Sequence, residues 1–280
     1  MTGGMSYRCF EVSIADRIGH VRLSRPDELN TMVPEFWNDL PRIVTELSDR
    51  GDVRAVVISS TGKHFSAGMD LSVFTGSGLM NDAEAGRRNA TFSLLVRRLQ
   101  DSFTALEDAR MPVLMAIQGG CIGGAVDMVC AADMRYASED AFFVVQETNI
   151  GMTADVGTLQ RLPKLIPDGV ARELVYTGRR MSAERAREVG LVNEVFADHE
   201  SLVAGTLAIA AEIAEKSPLT IWGAKEAMVY SRDHSVPDSL HQISHWQTGA
   251  FQPADMMEAF AAKGEKRKPD FPDLPPAPGL

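Results

Sequence analysis

The hydrophobic pattern of this 280-residue chain changes period along its length. Over 9–14 and 20–23 apolar and polar residues alternate as in strands, and Asp16-Arg17-Ile18-Gly19 between them predicts a hairpin turn. After a loop at Arg25-Pro26-Asp27-Glu28-Leu29-Asn30, Pro34 opens a predicted helix. In it Phe36, Leu40, Ile43, Val44 and Leu47 recur at helical spacing as far as Gly51. The unbroken apolar run Ala55-Val56-Val57-Ile58 predicts a buried strand over 54–59. Gly76-Ser77-Gly78 and Asn81-Asp82 mark a flexible stretch. A long helix is expected over 83–109, with Phe92, Leu95, Val96, Leu99, Phe103 and Leu106 on one face and Arg87, Arg88, Arg97 and Arg98 on the solvated side.

A second buried run, Val113-Leu114-Met115-Ala116-Ile117, leads into Gly119-Gly120-Cys121-Ile122-Gly123-Gly124 and then a helix-like stretch over 125–132. Short strands are expected over 133–137, 141–145 and 193–196. Helices are expected over 169–177, 183–189, 200–216, 219–230, 237–251 and 254–263, with Ser182 as an N-cap and Gly190 as a stop. Prolines at 269, 272, 275, 276 and 278 leave the tail without regular structure. Alternating strands and helices place the chain in the α/β class. Three regions follow: an α/β core over 1–199, a helical region over 200–268 and a proline-rich tail over 269–280.

Composition narrows the function classes. A net charge of −10 argues against a general nucleic-acid surface, while leaving room for a local basic patch. Cys9, Cys121 and Cys130 sit in apolar context without C-x-x-C spacing, so reduced core thiols are expected rather than disulfides or zinc. His241 and His245 have i,i+4 spacing but no accompanying acid motif, and no metal site is expected there. No apolar run is long enough for a membrane span. Residues 1–6 show neither a signal nor an arginine-rich transit pattern, and Gly279-Leu280 is not a peroxisomal tripeptide, so a cytoplasmic location is expected.

The glycine segments carry the chemistry. Strand, glycine loop and helix start together bring bare backbone N–H groups up to a ligand oxygen. The same logic applies at Lys63-His64-Phe65-Ser66-Ala67-Gly68-Met69-Asp70-Leu71, which follows the first buried run. Two strand-ended turns, each offering one N–H, imply an oxyanion hole. The spacing of Gly119 to Gly124 does not fit the dinucleotide fingerprint, because Cys121 stands where its second glycine is needed. Asp127 follows in the first turn of the next helix, where an acid interacts favourably with the helix start. Glu147 and Asp155 lie eight positions apart in loop-like sequence.

Residues 65–71, with 119–127 about fifty positions later, resemble the enoyl-CoA hydratase/isomerase, or crotonase, family. The stretch from Asp140 to Lys164 is most similar to that family's Δ3,5-Δ2,4-dienoyl-CoA isomerase branch. The resemblance implies a spiral of β-β-α units with a helical C-terminal extension used for trimerisation. It also implies a homo-oligomer, a hexamer built as a dimer of trimers, acting on an acyl-CoA thioester without metal or redox cofactor. The implied oxyanion donors are the N–H groups of Met69 and Gly124, with Ser66, Ala67, Gly68, Asp70 and Leu71 completing the substrate contacts. Lys263, Lys266 and Arg267 are implied contacts for the CoA phosphates.

Shifting a 3,5-diene to a 2,4-diene requires a proton removed at C2 and another delivered at C6, one carboxyl at each place. The resemblance assigns Glu147 and Asp155 to this pair, with Asp155 favoured at C2 and Glu147 at C6. Apolar surroundings should raise both pKa values. Hydratases of the family carry glutamate at the position of Asp127, so the shorter acid takes a supporting role here. The alternatives are an enoyl-CoA hydratase or other lyase of the family, and a non-catalytic scaffold on the same fold.

Overall fold

The computed structural model describes residues 5–70, 72–73 and 84–279. Leu71 and the glycine-rich stretch at 76–78 with Asn81-Asp82 lie outside the described residues. A seven-stranded sheet runs in the order β1 (Met5–Ser6), β2 (Phe10–Ala15), β3 (Ile18–Leu23), β4 (Ala55–Ser60), β5 (Val113–Ile117), β7 (Met134–Ser138), β10 (Glu194–Phe196). It is antiparallel from β1 to β3 and parallel from β3 onward. A second sheet holds β6 (Gly120–Ile122), β8 (Phe142–Val144) and β9 (Met181–Ser182). The helices are α1 (Pro34–Arg50), α2 (Ala85–Asp108), α3 (Gly124–Cys130), α4 (Thr158–Leu165), α5 (Asp168–Thr177), α6 (Ala183–Glu188), α7 (His199–Ala214), α8 (Pro218–Ser231), α9 (Val236–Ala250) and α10 (Pro253–Glu265).

Burial on both faces explains the unbroken apolar runs of β4 and β5. Val56, Ile58, Val113, Met115 and Ile117 face the large core beneath α1, α2 and α3. The intervening Ala55, Val57, Leu114 and Ala116 face Leu202 and Ala210 of α7 on the other side. Thus α7, expected to open a separate helical region, covers one face of the central sheet. The β-β-α repeat is visible in the chain order, where β5 in the large sheet is followed by β6 in the small one and then by α3.

Three local differences from the sequence reading have physical causes. The first hairpin turn is only two residues, Asp16 and Arg17, at φ 51° and 65°. Ile18 and Gly19 therefore belong to β3, and Gly19 lies under Leu47 of α1. The stretch between Glu147 and Asp155 is not all loop. Glu147–Ile150 forms a 3-10 turn that Gly151 ends at φ 75°. The tail has no regular structure in its described residues, yet it is pinned. Leu274 N–H donates to the Gly51 carbonyl (3.1 Å), Ala277 N–H to the Asp49 carbonyl (2.7 Å), and buried Arg54 bonds Asp273 and the Phe271 carbonyl.

Candidate active site

The two glycine turns interlock. Bridges Met32–Met69 and Ser66–Cys121 run parallel, fixed by Met32 N–H to Gly68 O (2.9 Å), Asp70 N–H to Met32 O (3.1 Å) and Ile122 N–H to Ser66 O (3.1 Å). In a parallel bridge these bonds use the groups flanking Met69, so its own N–H points away from Met32. Gly124 is the first residue of α3, where a helix leaves its N–H unused. Neither N–H has a hydrogen-bond acceptor among the described residues. The two nitrogens are neighbours: a Cβ on Gly124 would stand 3.7 Å from the Met69 nitrogen, and one on Gly68 3.2 Å from the Gly124 nitrogen.

Neighbouring residues hold this arrangement. Ser66 is fully buried and its hydroxyl donates to the Asn30 carbonyl (2.8 Å) while accepting from Gly68 N–H (3.1 Å). The Asn30 amide donates to the carbonyls of Thr61 and His64. His64 Nδ1 accepts the Gly120 N–H at 2.9 Å, joining the first turn to the second. His64 thus braces the donor loops. Its ring has no hydrogen-bond signal in sequence, because Gly120 is 56 positions away.

Both donors open into an apolar cavity. Its wall includes Ala67, Met69, Gly123 and Gly124 from the turns, Phe92, Leu95, Val96 and Leu99 from α2, and Ile150, Met152 and Val156 from the segment after β8. All three acids, Asp127, Glu147 and Asp155, line the same space. The apolar stripe of α2 therefore has two uses. Leu99, Phe103 and Leu106 are buried in the core, while half-buried Phe92, Leu95 and Val96 face the cavity.

The electrostatics separate the acids. Burial, then the nearby negative charge of Asp127, pushes the Glu147 carboxyl up to about 7. Its Oε2 is buried without a hydrogen-bond partner among the described residues. Its Oε1 lies 3.3 Å from where a Cβ on Gly123 would stand, next to the Gly124 donor. Burial also raises Asp155 above the ordinary carboxylate range. Asp127 is 1% exposed and moved to about 6, chiefly by burial, against the lowering effect of its bond from Thr158. That bond defines its place: Asp127 Oδ1 accepts the Thr158 N–H at 2.5 Å. The acid thus serves the start of α4 rather than only that of its own helix.

Not every expected contact residue reaches the cavity. Of the stretch 66–71, Ala67 and Met69 line it, and Ser66 and Gly68 shape the turn beneath. Asp70 turns its carboxylate to Ser72 N–H (2.9 Å) and the Thr31 hydroxyl (3.2 Å) instead. Lys263, Lys266 and Arg267 lie on or just past α10 and are not brought to the cavity within one chain. Arg267 is held by Glu258 and Glu265. Among the described residues no group of three or more His, Cys, Asp or Glu is placed to hold a metal, and no helix is long and apolar enough to cross a membrane.

Two neighbouring backbone N–H groups and three acids therefore share one apolar cavity of an α/β fold. The chain belongs to the enoyl-CoA hydratase/isomerase family, whose pattern matches residues 13–274. It is 40% identical over 265 residues to the mitochondrial Delta(3,5)-Delta(2,4)-dienoyl-CoA isomerase of Rattus norvegicus, covering 94% of this chain and 81% of that one. To the peroxisomal enzyme of the same name from Arabidopsis thaliana it is 38% identical over 276 residues, covering 96% and 99%. The solved enoyl-CoA hydratase from Bacillus anthracis superposes with a TM-score of 0.85 at 30% identity, covering 94% of this chain and 99% of that one. The expected crotonase fold is therefore present. The expectation of a cytoplasmic location is overturned, because the relatives carrying this name are mitochondrial or peroxisomal.

Proposed function

We propose that this protein is an acyl-CoA isomerase that converts a 3,5-dienoyl-CoA into the 2,4-dienoyl-CoA in fatty acid β-oxidation. One observation carries the reading: Glu147 and Asp155, both raised by burial, line the apolar cavity into which the free N–H groups of Met69 and Gly124 open. The thioester oxygen accepts from both donors. One carboxylate takes a proton from C2, and the C–H electrons spread through the diene to the thioester oxygen as a dienolate. The other carboxyl gives a proton to C6, leaving double bonds at C2 and C4. Each donor is worth roughly 3–4 kcal/mol of oxyanion stabilisation. A carboxyl near neutrality can both accept and release a proton at little expense.

Asp127 supports the pair by its charge beside Glu147 and by its hold on Thr158. The hydratase reading needs a second carboxylate free to hold water; here the corresponding acid is one methylene shorter and already bonded to a backbone N–H. Exposed Lys263 and Lys266 have no ion-pair partner among the described residues. In this reading they reach the CoA phosphates from a neighbouring copy, while Arg267 is already engaged. The deciding experiment offers purified protein 3,5-dienoyl-CoA and, separately, 2-enoyl-CoA. Growth of 2,4-dienoyl absorbance with little water addition is the expected result; rapid hydration with the 3,5-diene untouched refutes the reading.

A further inference from the structure

Asp155 sits on a stretch of chain with few hydrogen bonds. Upstream, Met152 N–H donates to the Glu147 carbonyl (2.9 Å); downstream, Thr158 N–H donates to Asp127 (2.5 Å). Over 153–157, among the described residues, the backbone receives one hydrogen bond from outside the stretch and the helix that follows it. The Gln100 side-chain amide donates to the Asp155 carbonyl oxygen at 2.7 Å. Only the NH2 end of that amide can make the bond, since the partner is a carbonyl acceptor.

The rest of the stretch is held by packing. Ala154 and Val156 are buried. Gly157, at φ 138°, lies flat against Arg161, whose guanidinium would overlap any side chain there. Glu107 in turn holds Arg161 at 2.5 Å. Gln100 and Glu107 both stand on α2, two turns apart, so one helix bears on the segment at Asp155 and, through Arg161, at Gly157. The same helix lines the cavity through Leu99, next to Gln100. Substrate shape and the height of the Asp155 carboxyl are thereby referred to one rigid element.

We infer that Gln100 is the positioning residue of Asp155, holding its carboxyl within reach of the substrate carbon through the bond to its carbonyl. This rests on the reading of Asp155 as a proton carrier. Gln100 touches no reacting atom. Its contribution is geometric, and a misplacement near 1 Å costs a reaction on the order of 100-fold.

The test separates the two proton transfers. Solvent deuterium entry is followed by NMR at C2 of a 3,5-dienoyl thioester and at C6 of a 2,4-dienoyl thioester, where each exchange runs through one carboxyl alone, in wild type, Asp155→Asn, Glu147→Gln and Gln100→Leu. The carbon whose exchange Asp155→Asn suppresses marks the Asp155 step. In Gln100→Leu that exchange is expected to fall about 10-fold or more, with exchange at the other carbon and KM within roughly twofold of wild type. Gln100→Glu, similar in shape and ionised at pH 8, sets an oxygen against the Asp155 carbonyl and is expected to behave alike; it carries the test if the leucine variant does not fold. Equal losses at both carbons, or no loss at either, in a folded variant overturn the inference. If Asp155→Asn itself leaves exchange at both carbons intact, the reading of Asp155 fails, and that result is distinct because it requires no Gln100 variant.

Discussion

Gly68 and Ile122 stand so close that a single carbon added to Gly68 would lie 2.5 Å from the Ile122 carbonyl oxygen. Contact between the two turns, rather than either turn alone, sets the separation of the Met69 and Gly124 donors. Gly68 also takes φ 87°, a conformation that resists any side chain. Gly68→Ala should therefore spread the donors and lower kcat by about 100-fold. Gly124→Pro tests the second donor directly. Proline is tolerated at the first position of a helix, so the variant should fold while losing the N–H, with a similar drop. Normal turnover in folded, assembled Gly124→Pro would remove Gly124 from the oxyanion hole.

Asp155→Asn and Glu147→Gln are each expected to nearly abolish conversion of the 3,5-diene, with the loss in kcat rather than KM. The double variant should be little worse than either single one, because the shift needs both carboxyls. Deuterium exchange assigns the carbons: stronger suppression at C2 by Asp155→Asn supports Asp155 there, and the reverse exchanges the roles. If the protein were a hydratase, Asp155→Asn would be nearly silent in water addition.

The buried acids also make stability fall as pH rises. Glu147 moves from an ordinary 4.5 to about 7 on folding, so between those values the folded state binds more protons than the unfolded one. The folded state is favoured by this group below about pH 4.5, and that advantage is lost as pH climbs to about 7. Asp127 acts in the same direction, from 3.8 to about 6. Glu147→Gln should consequently be more stable than wild type at pH 8 by on the order of 2 kcal/mol, and nearly equal at pH 4. Urea unfolding at the two pH values measures the difference; a variant less stable at pH 8 would contradict it.

A homo-oligomer, for which the family resemblance implies a dimer of trimers, is expected from apolar side chains left in solvent. Leu240, Phe251, Met257 and Phe260 on and beside α9 and α10 are each more than half exposed. Leu202, Leu207, Ile209 and Ile213, also apolar in sequence, contribute nothing to this argument because they pack on the central sheet. Stable oligomer interfaces are built from such apolar surface. Light scattering at micromolar concentration should give a mass well above 30.5 kDa, with a trimer or hexamer as the expected species. A monomer would dispose of the proposal.

Removing residues 270–280 should destabilise the fold despite the tail's lack of regular structure. Arg54 is 3% exposed, and its guanidinium depends on Asp273, the Phe271 carbonyl and the Ala214 carbonyl. Truncation would strip two of these partners from a buried cation, at about 3 kcal/mol or more. Thermal unfolding should show a midpoint several degrees lower. An unchanged midpoint would mean that water replaces the tail without loss.

The sequence alone determined what depends on neighbours along the chain. The apolar run 113–117 marks β5 because a strand buried on both faces needs no polar position. The same holds for α1, where a proline start and a glycine at φ 79° bound a helical stripe. The two glycine turns were legible because backbone packed as closely as Gly68 against Ile122 demands glycine. Periodicity, however, reports which side of an element is apolar and not what that side meets. Only the tertiary structure turned Phe92, Leu95 and Val96 toward a cavity while Phe103 and Leu106 entered the core. It alone joined Asp127 to Thr158 across 31 positions and Gln100 to Asp155 across 55. Those bonds are set by how helices stack on the sheet, and hydrogen-bonding groups so far apart in sequence leave no periodic trace of their pairing.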